Sequence, residues 1–101
     1  MSRFLPMSNP SKVIDKFGQY VITFRTQVAA SKFLALDGVD YDPAEVESIC
    51  AATDADRAEA GIQAQTTPSL TEKVLLRRMI CNVSFAVQYI NPAAKVPVIK
   101  L

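Results

Sequence analysis

Apolar positions recur most regularly between Leu70 and Ile90. Leu76, Met79, Ile80, Val83, Val87 and Ile90 lie three or four residues apart, which lines them along one side of an α-helix. Ser69 and Glu72 have capping-box spacing before this run, and Asn91-Pro92 ends it. Leu75, Phe85 and Tyr89 fall partly off that side. The helix is therefore apolar around more than half its circumference, which predicts a central helix or one shared with a partner.

The pattern between Val13 and Val28 fits two elements. At helical spacing, Val13, Phe17, Tyr20, Val21, Phe24 and Val28 form a stripe. At strand spacing, Tyr20, Ile22, Phe24 and Val28 share one face and Thr23, Arg25 and Gln27 the other, in a stretch rich in β-branched and aromatic residues. Helix is the preferred reading, because good helix formers continue through "AASKFLAL" to a stop at Gly38. Gly18 marks a break before it. Asp42-Pro43 then opens a second helix, with Glu45 completing a capping box and Val46, Ile49 and Cys50 on its buried side. Thr53, with Asp56 three residues on, restarts or extends it through the alanine-rich "DADRAEAGIQAQ".

Both ends read as arms. Residues 1–9 are punctuated by Pro6 and Pro10, and Phe4, Leu5 and Met7 have no local stripe to join. Residues 92–101 carry Val96, Val98 and Ile99 around Pro97, which permits an edge strand but not a central one. The expected architecture is a mostly α domain of three to four helices over residues 10–91, with extended arms at 1–9 and 92–101. The alternative is α+β, with a strand at about 20–28.

With 101 residues, half of them hydrophobic, the chain is sized for one domain with one modest core. The longest strongly apolar run, "MICNVSFAVQYI", is too short to span a bilayer, and "MSRFLPMSNPSK" lacks the apolar segment of a signal peptide. Synthesis in a cytoplasm and no membrane span are the expectations. Cys50 and Cys81 lie far apart without metal-ligand spacing and read as buried free thiols.

The net charge of +1 conceals a division. Eight of the ten acidic residues lie between Asp37 and Glu59, with Arg57 the only base among them, so that segment carries −7 and the remainder +8. Within it, "LDGVDYDPAEVE" lacks the ligand spacing of a calcium loop, and Asp42 and Glu45 serve as cap and dipole partner. Asp54, Asp56 and Glu59 are candidates for an acidic contact surface. Lys73, Arg77 and Arg78, on adjacent turns of the long helix, are candidates for a basic one.

Catalytic chemistry is thin. The chain has no histidine, three glycines and no phosphate-cradling loop. Cys50 lacks a neighbouring cation and Cys81 lies within an apolar helix, so neither reads as an activated thiolate. No cofactor or metal is expected, and no family-defining motif is present. The reading that follows is a non-enzymatic structural or assembly subunit of a larger protein complex, of which a virion or tail component is one concrete version. Its expected partners are other subunits, copies of itself included, rather than nucleic acid. The contact residues are Phe4, Leu5, Val96, Val98 and Ile99 on the arms and the charged groups named above. A small adaptor that binds one folded partner is the alternative, followed by a nucleic-acid-binding module using Lys73, Arg77 and Arg78.

Overall fold

The computed structural model of the protein describes residues 3–62 and 70–97. In chain order it contains β1 (Phe4–Pro6), β2 (Lys12–Asp15), β3 (Tyr20–Phe24), α1 (Gln27–Ala35), β4 (Val46–Ala51), α2 (Asp54–Glu59) and α3 (Leu70–Ile90). The four strands form one antiparallel sheet in the order β1-β2-β3-β4. The fold is α+β, which corrects the expectation of a mostly helical domain and matches its alternative.

The correction has a physical cause. A strand covered on one face alternates apolar and polar, whereas one covered on both reads as a continuous apolar run. β3 is of the second kind. Its neighbours Val21 and Ile22 are both buried on opposite faces, Ile22 in the main core and Val21 in a smaller cluster with Met7 and Ile14. Such a run also satisfies a helical template. The helix expected from Tyr20 onward begins only at Gln27, where Thr26 caps it by accepting a hydrogen bond from the Ala29 amide at 3.1 Å. Val28 stands exposed on its first turn.

The second expected helix is also shortened. Asp42 does cap, accepting from the Ala44 amide at 3.0 Å, but only a 3-10 turn of Pro43–Glu45 follows. Val46 and Ile49 then enter the core from β4 rather than from a helix, and Cys50 stands exposed, not buried. Cys81 is half-buried, and both thiols are free. Thr53 restarts a helix with a complete capping box, its hydroxyl accepting from the Asp56 amide and the Asp56 carboxylate from the Thr53 amide.

α1 and α3 cover one face of the sheet. Phe33 from α1 and Leu76, Ile80, Val83 and Val87 from α3 join Val13, Ile22, Phe24, Val46 and Ile49 in the main core. The expected bounds of the long helix agree with α3, except that Ile90 is exposed. Phe4 belongs to this same core, 2% exposed, with its ring edge-on to Phe33 at 4.7 Å between centroids. The N-terminal segment is thus a sheet strand and not a free arm. At the other end of the sheet the tail runs beside β4. The Ile49 amide donates to the Lys95 carbonyl at 2.8 Å, in a parallel bridge of Lys95 with Ser48.

The opposite face of the sheet carries Ile14 and Val21, covered by Ala60 and Ile62 at the end of α2. α2 is held there by Arg57, whose Nη1 donates to the carbonyls of Gly18, at 2.9 Å, and Ala52, at 3.2 Å.

Candidate functional site

A groove of about 470 Å³ opens between the first half of α3, the start of β1, the β2–β3 turn and the loop after α1. Its floor is apolar, formed by Phe17, Leu76, Met79 and Val83. Three cations from three separate segments stand on its walls: Arg3, Lys16 and Arg78. Tyr41, Asn82 and Glu72 complete the polar lining.

Each wall follows from local chemistry. The β2–β3 turn, residues 16–19, is organised by Asp15, a fully buried carboxylate. It accepts hydrogen bonds from the amides of Phe17 (2.9 Å), Gln19 (3.0 Å) and Tyr20 (2.5 Å). Burial pushes its pKa up from the ordinary 3.8, and these donors act in the other direction without cancelling the rise. The turn leaves Lys16 beside the groove, its Nζ 5.0 Å from the centroid of the Phe17 ring.

The loop after α1 turns through Asp37, at φ +52°, and Gly38, at φ +77°. A Cβ at Gly38 would lie 2.8 Å from the Phe4 ring, so the core sets the path of this wall. Asp37 accepts from the Arg3 amide at 2.7 Å and lies 3.9 Å from its guanidinium Nε, which fastens the start of β1 to the loop. Tyr41 packs edge-on to Phe33, ring centroids 5.9 Å apart, and burial raises its hydroxyl pKa. Its phenol stays neutral near pH 7 and can donate a hydrogen bond into the groove.

The candidates read from the sequence are dispersed. Arg78 lines the groove, whereas Arg77, half-buried on α3, does not. Lys73 lies on the same helix, one turn before Arg77. Phe4 is in the core, Leu5 packs on the opposite face of the sheet, and Val96 packs against the main core near β4. None of the three forms a detached arm. Val98 and Ile99 lie outside the described residues. Asp54 and Glu59 are exposed on α2, and Asp56 is engaged in the capping box.

Sequence reasoning missed Arg3, Lys16 and Tyr41 as companions of Arg78. They come from distant segments, and only the strand pairing brings them together. The acidic stretch of the sequence serves turns: Asp37 fixes the loop and Asp42 caps. Among the described residues no three acidic or thiol groups converge as metal ligands.

The arrangement can bind and orient an anionic partner that also carries apolar surface. Cations at the walls attract it and the floor takes its apolar part. No described helix is long and apolar enough to cross a membrane. Compared with protein-family models, curated proteins and solved structures, the chain matches none.

Proposed function

We propose that the protein is a non-enzymatic assembly subunit that docks into a larger protein complex through the outward side of α3. The observation that supports this reading is the apolar surface left on that helix. Leu75 is 59% exposed, Phe85 75% and Tyr89 77%, while Leu76, Ile80, Val83 and Val87 fill the core from the other side. Positions 75, 78, 82, 85 and 89 follow the three-four spacing of a helix-packing seam, here interrupted by Arg78 and Asn82. Exposed aromatic rings at helical spacing suit a surface that another protein covers.

The test is the mass and composition of the native complex. Isolated from its source, the chain is expected in a particle of fixed stoichiometry and of several times its own 11.1 kDa. Phe85→Ser with Tyr89→Ser should release it as a monomer with an unchanged melting temperature. A wild-type chain that is monomeric in its native extract would overturn the reading.

A further inference from the structure

We infer that the partner covering the outward side of α3 is a second copy of this chain, its α3 laid antiparallel on the first about a twofold axis near Ile80. This deepens the assembly reading above, and rests on it, by naming the partner at that surface.

The two halves of α3 are unlike, and each offers what the other lacks. The exposed rings of Phe85 and Tyr89 belong to the second half. The groove, with its apolar floor, runs beside the first half, where Leu75 and Val39 add exposed apolar surface to its lining. Within one molecule the rings stay in solvent. A second copy turned end for end brings its rings to the groove of the first and offers its own groove in return.

The register of the helix agrees. Thr71, Leu75, Arg78, Asn82, Phe85 and Tyr89 are all exposed and follow one another at alternating steps of four and three residues. Reversed about Ile80, this row meets itself at every position: Leu75 against Phe85, Arg78 against Asn82, and Thr71 against Tyr89. Apolar side chains meet apolar ones and polar groups meet polar ones. The Arg78 guanidinium faces the Asn82 amide oxygen, an acceptor, with the Phe85 ring one turn away. Charge sets the direction. A parallel pair would place Arg78 on Arg78, whereas residues 79–90 hold no charged side chain and receive it without repulsion.

The area suits a dimer. Three-quarters of two aromatic side chains comes to about 300 Å². With Leu75, Val39 and the groove walls, each copy buries roughly twice that, and a total of about 1,200 Å² stands at the lower end of specific interfaces. A twofold contact uses the same surface on both copies, so it closes at two.

The test reads the dissociation constant of purified full chains by sedimentation. Wild type should show a monomer–dimer equilibrium. Asn82→Asp sets a carboxylate against Arg78 of the second copy and should tighten the dimer about tenfold, because the axis forms each new pair twice. Asn82→Lys brings cations together and should loosen it by a similar factor. Arg78→Asp added to Asn82→Lys restores opposite charge in reversed order and should recover wild-type affinity, which a misfolded chain would not do. A dimer indifferent to these changes would overturn the inference, as would purified chains that assemble beyond two copies. So would a wild type that is monomeric at millimolar concentration; if a different protein is then cross-linked to position 85 in the native complex, the assembly reading stands without it. A chain that is monomeric both when purified and in its native extract would sink the two together.

Discussion

Arg57 and Gly18, 39 residues apart, are joined by a 2.9 Å hydrogen bond from the guanidinium to the glycine carbonyl. The contact locks α2 to the β2–β3 turn. Gly18 sits at φ +72°, and a Cβ added there would fall 2.8 Å from Cδ of Arg57. Gly18→Ala should therefore cost about 1–2 kcal/mol for the left-handed backbone, and more for displacing the arginine. Arg57→Ala should cost about 1.5–3 kcal/mol, the range for hydrogen bonds to a charged donor. In the Arg57→Ala background the steric part of the Gly18→Ala cost disappears. A double-mutant cycle in denaturant should show that coupling, about 0.5–3 kcal/mol in size. Simple additivity would show that the two residues act separately.

Asp15 makes stability depend on pH in an unusual direction for a carboxylate. Burial raises its folded pKa above the ordinary 3.8, against the opposing pull of the Tyr20, Gln19 and Phe17 amides. Between 3.8 and the raised folded value, the folded state holds a proton that the unfolded state has released. The contribution of Asp15 is therefore fully present below that window, falls as pH rises through it and is level above. Asp15→Asn removes this slope. It also turns an amide NH2 toward backbone donors, so it should destabilise by about 1–3 kcal/mol at neutral pH. Chemical denaturation of both proteins across the acid-to-neutral range checks this. A wild-type profile that rises through the window relative to that of the Asp15→Asn protein would reverse the sign assigned to Asp15.

Part of the fold was legible from local chemistry. α3, the cap at Asp42 and the capping box of Thr53 with Asp56 each depend on residues within one or two turns, and each stands where the spacing places it. The β-sheet was not legible in the same way. β3 is buried on both faces, so its apolar run matches a helix as well as a strand, and the pairing that settles the choice comes from residues up to Ala51. β1 has three residues and ends at Pro6, which reads as an arm until β2 pairs with it. The groove failed for the same reason. Arg78 was readable on a helix, whereas Arg3, Lys16 and Tyr41 gain meaning only from tertiary placement.

Phe4 tests the revised place of the N-terminus. It is almost fully buried, meets Phe33 edge-on and backs the loop at Gly38. Phe4→Ala should cost about 3–5 kcal/mol, the range for truncating a buried aromatic side chain. Thermal unfolding followed by circular dichroism measures it. A loss below about 0.5 kcal/mol, the scale of a surface substitution, would return residues 3–6 to the status of an arm.

Ile80 and Phe85 lie on one helix and carry opposite expectations. Ile80 is 0% exposed and packs with the sheet, so Ile80→Ala removes buried methylenes and leaves a cavity. The expected cost is about 2–5 kcal/mol. That is a large part of the roughly 5–15 kcal/mol that holds a domain folded. Phe85 is 75% exposed, so Phe85→Ala should change the stability of the monomer by no more than about 0.5 kcal/mol. It should instead weaken association, because a ring that is solvated in the monomer gains its burial only at an interface. Denaturation at low protein concentration reads the first quantity and light scattering at high concentration the second. If Phe85→Ala lowered monomer stability as much as Ile80→Ala, the outward side of α3 would belong to the core of this molecule, and the docking surface would have to be sought elsewhere.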